Sequence, residues 1–360
     1  MEKLKVAIIG CGHIANGKHM PSLAKIEEIE MIAFCDIVIE RAEKAATDFG
    51  VPGAKAYTDF KQMIDTEKPD IVHVCTPNRE HAPVSIYAME HDCHVMCEKP
   101  MAKTYEEAKA MLDAHLRTGK KLTIGYQNRH KPDIQYIKRA CLNGELGEIY
   151  YAKSHAVRRR AVPTWGVFLD EDAQGGGPLI DIGTHALDLT LWCMDNYKPK
   201  SVSGSVFKKL GDLKESGNVW GDWDPEEYTV EDSAFGFIKM ENGATIVLES
   251  SWALNTMDVK EAKCTLCGTK AGADMECGAR LNYSKFGKLV EEVPDLSTGG
   301  VDYNEGSAVD PAYMEARRWI DAVINNTEPY VKPEEALCVT RILEAIYESA
   351  KTGKEVVFND

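Results

Sequence analysis

The chain has 360 residues, 44% of them hydrophobic and 28% charged, which is ordinary for a globular protein of two domains. The formal net charge of −15 disfavours a nucleic-acid partner, because the phosphates would be repelled. No apolar stretch approaches the roughly 20 residues of a membrane span, and no signal peptide precedes the first predicted strand, so we expect a cytoplasmic protein without membrane contact. The eleven cysteines then indicate reduced thiols rather than a disulfide framework.

The first fifteen residues predict a strand that runs into a dinucleotide-binding turn. Residues 5–9 are apolar, and Gly10, Gly12 and Ala15 follow them in the pattern G-x-G-x-x-A. Gly10 allows the tight turn, Gly12 lets a pyrophosphate approach the backbone, and Ala15 lets the next helix pack closely on the sheet. The N-terminus of that helix then faces the anion with its free N–H groups.

The second predicted strand, residues 31–35, ends in Asp36, which lies 21 residues after Ala15. A carboxylate at this place accepts hydrogen bonds from ribose hydroxyls and repels a 2′-phosphate, so the predicted cofactor is NAD rather than NADP. The alternative is that Asp36 merely begins the next turn. Arg41, five residues further on, either lies over the adenine ring or belongs to the helix surface.

Strands and helices alternate up to about residue 125. Strands predicted over 71–75, 94–97 and 121–124 alternate with helices predicted over 40–49, 59–65 and 80–91 and with one that begins at Thr104. Repeated β-α units give a parallel, doubly wound sheet. We therefore expect an α/β protein whose first domain, residues 1–125, is a dinucleotide-binding Rossmann domain.

After about residue 130 the pattern becomes that of a mostly antiparallel sheet. Alternating residues predict strands over 147–160, 201–207, 233–240, 244–254 and 261–266, and Asn242-Gly243 predicts a hairpin. Residues 211–227 are polar and acidic and predict a surface loop. Helices are predicted over 310–325 and 333–351 and can pack back on the first domain. The second domain, residues 126–360, is therefore expected to be an α+β domain with an open sheet.

A zinc site at Cys264, Cys267 and Cys277 is disfavoured. The chain has no second cysteine pair and no histidine near this segment, and residues three apart on a strand point to opposite faces. We expect no bound metal.

The helix predicted over residues 179–194 carries a polar stripe on an otherwise apolar surface. Asp181, His185 and Asp188 fall on one face, and the other faces are rich in leucine and isoleucine. Such a helix is buried, so its stripe needs a cleft or partners. A lone histidine there is more often a core residue, but two aligned carboxylates favour a functional group. Asp181 can orient His185 or hold Lys99, and an imidazole is a suitable proton acceptor near neutral pH.

Four segments together resemble one family. They are residues 10–15 with Asp36, residues 75–78 with His81, residues 98–100 (Glu-Lys-Pro), and residues 181–185 with Asp188. These resemble the glucose–fructose oxidoreductase, inositol dehydrogenase and rhizopine catabolism family (Gfo/Idh/MocA), and the likeness extends through residues 231–234, 268–272 and 333–336. The resemblance implies a Rossmann domain joined to an α/β domain that binds substrate. It also implies that the outer face of the open sheet in the second domain carries dimer or tetramer contacts.

The resemblance also implies that Lys99, Asp181 and His185 form the catalytic group. Hydride removal from a secondary alcohol needs a base for the hydroxyl proton and positive charge near the developing alkoxide. Lys99 and His185 can supply both, and which of them accepts the proton is open. The alternative for Lys99 is a surface lysine before a proline, which Glu98 and the preceding strand disfavour.

Motif position and resemblance together predict two sets of ligand contacts. The expected cofactor contacts are Gly10, Gly12, His13, Ile14, Ala15, Asp36, Ile37, Arg41, Cys75, Thr76, Pro77, Asn78, His81, Glu98, Lys99 and Gln127. The expected substrate contacts are Tyr126, Asn128, Arg129, His155, Arg158 and Trp165. Alternatives stay open for the second set: a hydrogen-bond network where the domains join for the first three, a solvated face for the arginines at 158–160, and core packing for Trp165. Glu249, Trp252 and Asn255 end another strand and carry the same ambiguity.

The sequence therefore predicts an NAD-dependent oxidoreductase that acts on a ring hydroxyl of a sugar, polyol or glycoside, as a homodimer or homotetramer. Its narrowest interpretation is oxidation of the 3-hydroxyl of a glucoside, because residues 155–165 are similar to those of glycoside-oxidising members. One alternative is a glycosidase that keeps NAD bound and cleaves through transient oxidation. Another is a non-catalytic NAD-bound sensor, against which Lys99, Asp181 and His185 argue.

Overall fold

The structure is a computed structural model that describes residues 3–215, 217–296 and 310–359. The chain divides into two units. The first comprises residues 1–127 and 310–337, and the second comprises residues 128–309 and 338–360.

The first unit contains a parallel sheet of six described strands. Its strands β1 to β6 are Leu4–Ile9, Ile29–Cys35, Lys55–Tyr57, Ile71–Val74, His94–Cys97 and Leu122–Ile124. They lie in the order β3-β2-β1-β4-β5-β6, and every neighbouring pair is parallel. This confirms the predicted doubly wound Rossmann sheet, in which ligands bind where the order reverses between β1 and β4.

Helices follow the strands of this sheet. A π-helical turn, Ala15–His19, continues into α1, Met20–Leu23. A 3₁₀ turn, Asn78–Glu80, precedes the helix that begins at His81. The remaining helices here are α2 (Ile39–Phe49), α3 (Phe60–Glu67), α4 (His81–Glu90) and α5 (Tyr105–Thr118). Asp59 and Thr104 begin α3 and α5 by accepting hydrogen bonds from N–H groups of the first turn, as N-cap residues do.

The second unit is built on a mixed sheet. Its strands β7 to β15 are Ile149–Val157, Pro199–Phe207, Ser233–Met240, Thr245–Ser251, Lys260–Gly268, Ala271–Asp274, Arg280–Lys285, Lys288–Glu292 and Val356–Val357. They lie in the order β14-β13-β12-β11-β7-β10-β9-β8-β15. The pair β7 and β10 is parallel and the other described pairs are antiparallel, which confirms the predicted open, mostly antiparallel sheet.

The helices of the second half of the chain are α6 (Pro132–Leu142), α7 (Glu171–Gln174), a π-helical turn (Leu179–Gly183) that continues into α8 (Thr184–Met194), α9 (Pro311–Ile324) and α10 (Pro333–Thr352). A 3₁₀ turn, Gln127–His130, precedes α6. The apolar residues of α8 up to Cys193 are buried, and Thr190 on this helix lies 2.7 Å, Oγ1 to Oγ, from Ser154 on β7. Since neighbouring residues of a strand alternate in direction, α8 covers the sheet face to which Ser154 points.

The core of the first unit includes residues from distant parts of the chain. Phe34 on β2, Met20 and Leu23 on α1, and Trp319 and Ile320 on α9 belong to one buried cluster. Within the described residues, no helix is long and apolar enough to cross a membrane.

Candidate active site

The turn after β1 is fixed by the backbone of Gly10. Its φ is +87°, and a Cβ there would lie 2.6 Å from the carbonyl oxygen of Cys75. The N–H of Gly10 donates to the Cys35 carbonyl at 2.8 Å, and the N–H of Cys75 donates to the Ile9 carbonyl at 2.7 Å. The turn therefore meets the carboxyl ends of β2 and β4, and only glycine fits its first position.

Asp36 joins the end of β2 to this turn. Its carboxylate accepts hydrogen bonds from the N–H of Cys11 and from the N–H of Val38, both at 2.9 Å. Arg41 lies 3.9 Å from it and its side chain is 59% exposed, so Arg41 belongs to the surface beside this carboxylate. A carboxylate accepts about four hydrogen bonds. Asp36 therefore holds the turn in place and keeps acceptor capacity for ribose hydroxyls.

Three further observations fit a dinucleotide at this turn. Among the described residues, no atom lies within 4 Å of a Cβ placed on Gly12, so packing within the protein does not require glycine there, whereas close approach of a pyrophosphate does. The Thr76 hydroxyl is buried and has no hydrogen-bond partner in the described part of the chain. The Ile37 side chain, next to Asp36, is 90% exposed and offers an apolar surface to an adenine ring.

The helix that follows the turn carries a buried charged cluster, formed by Lys18, His19, Glu98 and Glu315. Lys18 Nζ lies 2.6 Å from Glu98 Oε1 and 2.7 Å from Glu315 Oε2, and His19 Nε2 lies 2.7 Å from the same Glu98 oxygen. Burial raises the pKa of Glu98, but the Lys18 charge and the His19 hydrogen bond outweigh it and hold that pKa well below its usual range. Burial lowers the pKa of His19, so its ring is neutral. Glu98 is therefore an ionised acceptor inside the unit.

Glu98 and His81 fix the backbone around Lys99. The N–H of Lys99 donates to Glu98 Oε2 at 3.1 Å, and the Lys99–Pro100 peptide bond is cis. The two ring nitrogens of His81 lie 2.8 Å from the Pro100 carbonyl oxygen and 3.0 Å from the Thr76 carbonyl oxygen. His81, expected to contact the cofactor, is thus buried and bonded to the main chain on both sides. It links the segments that follow β4 and β5.

The other predicted cofactor residues lie at the same edge of the sheet. Residues 10–15 follow β1, residues 36–41 follow β2, residues 75–81 follow β4, residues 98–99 follow β5 and Gln127 follows β6. Parallel strands bring all these segments to one edge. Their side chains differ in exposure: His13 and Pro77 are exposed, Ile14, Asn78 and Gln127 are half-buried, and Ala15 and Cys75 are buried.

In the second unit, a buried carboxylate holds the start of the helix that carries Asp181 and His185. The N–H of Gly177 donates to Glu231 Oε2 at 2.7 Å, and the N–H of Leu179 donates to Glu231 Oε1 at 3.0 Å. These are N–H groups at the start of the helix, which has no backbone acceptor for them. Burial raises the pKa of Glu231, and the two N–H groups oppose that rise without cancelling it.

The glycines before this helix make the arrangement possible. A Cβ on Gly177 would lie 2.3 Å from the Glu231 carbonyl oxygen, and one on Gly176 would lie 2.1 Å from the Tyr347 hydroxyl oxygen. Tyr347 on α10 donates its hydroxyl to Glu231 Oε1 at 2.9 Å. Sequence reasoning assigned no role to Glu231 or Tyr347. The available signals were the Gly-Gly-Gly run before the helix and an acidic pair that opens an apolar strand.

Asp181 is oriented by Trp252, which follows β10. Trp252 is fully buried, and its Nε1–H donates to Asp181 Oδ2 at 3.0 Å. Trp252 thus packs in the core and also donates a hydrogen bond to a predicted catalytic residue. His185 lies one helical turn further along the same face.

Asp188, the third member of the polar stripe, forms an ion pair with Arg129. Arg129 Nη2 lies 2.5 Å from Asp188 Oδ1 and its Nε lies 3.0 Å from Oδ2, with the two side chains 0% and 1% exposed. Tyr126 and Asn128 are buried as well. The ion pair gives Arg129 a structural role, and the substrate contacts predicted for Tyr126, Asn128 and Arg129 stay predictions.

His155 and Arg158, near the end of β7, have different partners. His155 points away from the sheet face that α8 covers, and its ring nitrogens lie 3.1 Å from Thr265 Oγ1 and 3.4 Å from Glu249 Oε2. His155 therefore lies on the sheet face opposite to the one that α8 covers, and its contact with substrate stays a prediction. Arg158 pairs with Glu261 through two nitrogens, at 2.6 and 2.5 Å.

Trp165 lies in the loop after β7 and 45% of its surface is exposed, so core packing does not account for it. Cys264 and Cys267 lie on β11, and all eleven cysteines are free. In the described ranges, no group of three or more histidine, cysteine, aspartate or glutamate side chains is placed to hold a metal ion.

Comparison with family models gives two matches that together span most of the chain. A model of an oxidoreductase family with an NAD-binding Rossmann fold (GFO_IDH_MocA) matches residues 4–126. A model of the C-terminal alpha/beta domain of that oxidoreductase family (GFO_IDH_MocA_C) matches residues 138–358.

Comparisons with individual proteins agree with the two family matches. D-glucoside 3-dehydrogenase from Escherichia coli (strain K12) is 37% identical over 363 residues, which cover 98% of this chain and 97% of that protein. The crystal structure of aldose-aldose oxidoreductase from Caulobacter crescentus, complexed with glycerol, has a TM-score of 0.80 and 25% identity over 99% of this chain and 100% of its own. Levoglucosan dehydrogenase in complex with NADH and levoglucosan has a TM-score of 0.83 over 99% of both chains, and its 20% identity shows the shared fold alone.

Proposed function

Because the chain belongs to the Gfo/Idh/MocA oxidoreductase family, we propose that it oxidises the 3-hydroxyl of a glucoside with NAD⁺ as the hydride acceptor. The family and the NAD cofactor expected from the sequence are confirmed, and the chain is an NAD-dependent oxidoreductase that acts on the alcohol carbon of a sugar or related compound. The single observation that carries the narrower proposal is the likeness to D-glucoside 3-dehydrogenase, which runs through the whole of both chains.

The first unit supplies the residues that would hold the cofactor. The N–H groups that follow Gly12 would bind the pyrophosphate, and the acceptor capacity left on Asp36 would bind the adenosine ribose. Ile37 would cover the adenine, and the buried Thr76 hydroxyl would donate to the bound group. When bound, NAD⁺ supplies the carbon that accepts the hydride.

The proposal assigns the proton chemistry to Lys99 and His185, with Asp181 as the carboxylate that orients His185. When the carbinol C–H bond breaks and its electron pair leaves as hydride, the hydroxyl proton passes to Lys99 Nζ or to a ring nitrogen of His185. The group that does not accept it stabilises the developing oxyanion. Glu98 holds the backbone of Lys99, and Trp252 holds the carboxylate of Asp181. The Lys99 backbone and the Asp181 carboxylate are therefore in place before substrate arrives.

A panel of deoxy-glucosides tests the position of attack. Methyl glucosides of both anomers are mixed with the purified chain and NAD⁺, and NADH formation is followed by absorbance. We expect turnover of the 2-deoxy, 4-deoxy and 6-deoxy analogues and no turnover of the 3-deoxy analogue, with a 3-keto product seen by NMR. Oxidation of the 3-deoxy compound would overturn the proposal.

Variants test the assignment of residues. Lys99→Ala and His185→Ala are each expected to lower kcat by about 10²–10⁴-fold, the usual range for a lost general acid or base. Lys109→Ala is the matched control, since Lys109 is an exposed helix lysine paired with Asp113. The pH profile of kcat for each variant distinguishes the two candidates, because loss of the proton acceptor removes the acidic limb.

The same assay separates the glycosidase alternative. A glycosidase with retained NAD releases aglycone without net NADH, so aglycone and NADH are measured in one reaction. Aglycone release that exceeds ketone formation would favour the glycosidase. Absence of both activities, with NADH bound, would favour a sensor.

We also propose assembly of the chain as a homodimer or homotetramer through the outer face of the nine-stranded sheet, and residence in the cytoplasm. Phe237 on β9 is 45% exposed and pairs across strands with Val247, which gives that face apolar character. The eleven free thiols support a reducing compartment. Sedimentation of the wild type and of Phe237→Arg tests the assembly, and a monomeric wild type would overturn it.

A further inference from the structure

Two exposed tryptophans, Trp165 and Trp220, form what we call the aromatic platform of the second unit. Their rings meet edge to face with centroids 5.0 Å apart, and they are 45% and 43% exposed. Large aromatic side chains bury 150–250 Å² each when covered. Two of them held together at the surface therefore indicate a place where an apolar group of a ligand is bound.

Hydrogen bonds between two loops build the platform. Asn218 accepts from the N–H of Val162 at 2.8 Å and donates to the Val162 carbonyl at 2.9 Å. Thr164 donates its hydroxyl to the Trp220 carbonyl at 2.8 Å, and the N–H of Val219 donates to the Arg160 carbonyl at 3.2 Å. The loop before Trp165 and the loop that carries Trp220 are thus joined at several points. The two rings are presented in one fixed arrangement, which lowers the entropy lost when a ligand covers them.

A chain of ring contacts connects the platform to Asp181. The Trp165 ring meets that of Phe168 at 5.9 Å between centroids, and Phe168 meets Trp252 at 6.4 Å. Trp252 donates its indole N–H to Asp181, as described above. The platform is therefore connected through packed rings to a proposed catalytic residue of the same unit. Two ring contacts separate it from that residue, so it reaches a group attached to the oxidised sugar ring and not the ring itself.

The charges near the platform favour a neutral ligand. The Arg158 guanidinium lies 5.2 Å from the centroid of Trp220, but its Nε and Nη2 engage Glu261 and its Nη1 donates to the Ala161 carbonyl at 3.1 Å. Burial opposes a charged Arg158, yet the Glu261 hydrogen bond and charge, with a contribution from Asp181, raise its pKa. The Arg158 charge is therefore matched by Glu261 within the protein, so this guanidinium is not available to a phosphate or carboxylate.

We infer that the aromatic platform is an aglycone subsite, and that the glucosides oxidised most efficiently carry a flat, neutral aromatic aglycone stacked on Trp165 and Trp220. This inference rests on the proposed function and narrows it to a substrate class. Stacking on the platform lowers the free energy of the bound state, so it is expressed mainly in KM.

Paired substrates test the inference. The ratio of kcat/KM for phenyl glucoside to that for methyl glucoside is measured with NAD⁺ for both anomers in the wild type, Trp165→Ala and Trp220→Ala. We expect a wild-type ratio well above one and a fall of about tenfold in each variant, since a ring pair contributes up to about 1.5 kcal/mol. Trp220→Phe retains most of the ratio because it keeps a ring. Phe286→Ala is the matched control, since Phe286 is 94% exposed elsewhere in the unit, and leaves the ratio unchanged.

A binding measurement keeps this test separate from the proposed function. Calorimetric titration of phenyl and methyl glucosides into the NADH-bound chain gives the same comparison without turnover. If NADH is never formed but phenyl glucoside still binds more tightly in a Trp220-dependent way, the proposed reaction fails and the subsite stands. An equal ratio in the wild type and both alanine variants, by kinetics or by binding, overturns the subsite.

Discussion

Replacement of Asp188 by alanine tests whether Arg129 is a structural residue or a substrate contact. The variant leaves the Arg129 guanidinium in the interior without the carboxylate that neutralises it. Both side chains are almost completely buried, and the charge-assisted hydrogen bonds from Nε and Nη2 of Arg129 to the carboxylate are lost. Removal of one partner from such a pair costs about 3–5 kcal/mol, because a charge remains buried in a medium of low polarity. The Trp192 ring, 5.5 Å from the guanidinium carbon, compensates only part of this loss.

Urea unfolding followed by tryptophan fluorescence measures the loss in the relevant unit. Of the six tryptophans in the sequence, five (Trp165, Trp192, Trp220, Trp223 and Trp252) lie in the second unit, so the signal reports mainly on it. The double variant Arg129→Met/Asp188→Leu removes both charges and is expected to regain most of the stability. Asp258→Ala is the control, because Asp258 is exposed and its pairing with Lys260 contributes less than about 1 kcal/mol.

The kinetic result decides between the two roles of Arg129. If the pair is structural, Asp188→Ala lowers the free energy of unfolding. The double variant then has a KM close to that of the wild type. A destabilisation below about 1 kcal/mol, together with a large rise in KM for every glucoside, would refute this reasoning. Arg129 would then be a substrate contact despite its burial.

Three further predictions concern the first unit. Gly10→Ala is expected to lower the stability of the first unit by roughly 1–3 kcal/mol, because a side chain is forced onto a φ of +87° and into the backbone that follows β4. Gly12→Ala, by contrast, leaves the melting temperature unchanged and weakens NADH binding in a fluorescence titration. Asp36→Ala is expected to lower the ratio of kcat/KM for NAD to that for NADP by about tenfold, and an unchanged ratio would contradict the ribose contact. Stability is expected to fall as the pH drops below 6.5, because burial lowers the pKa of His94 to about 4 and the unfolded chain takes up the proton first. Urea midpoints at neutral and mildly acidic pH measure this, and His94→Gln should show the smaller difference.

The strands that could be predicted were those with an apolar pattern. β1 reads Leu-Lys-Val-Ala-Ile-Ile and is buried over its last four residues, and β10 alternates between buried and half-exposed positions. β14 has no buried residue, and β15 has only two residues, so neither carries a hydrophobic pattern. These strands form because a neighbouring strand offers backbone hydrogen bonds, which is a property of the assembled sheet and not of the local sequence.

The candidate site also contains residues that could be predicted from the sequence and residues that could not. Gly10, Gly12 and Asp36 could be predicted because the chemistry of a pyrophosphate and a ribose fixes residue types at short spacings. Glu231 meets Gly177 across 54 positions and Tyr347 across 116, and no local pattern announces either contact. The sheet face on which His155 lies could not be predicted either. Its ring lies on the sheet face opposite to Ser154, and the sequence does not say which face the helix covers.

Glu98 and Glu231 show how buried carboxylates prepare the proposed chemistry without taking part in it. Each accepts backbone N–H groups beside a proposed catalytic residue: Glu98 beside Lys99, and Glu231 at the helix start before Asp181. They are stabilised differently. Lys18 keeps Glu98 ionised, whereas Glu231 has a raised pKa and relies on N–H and hydroxyl donors. Because each carboxylate is buried and bonded to this backbone, a change at either one displaces the backbone beside a proposed catalytic residue. Such a change should therefore lower kcat more than it raises KM.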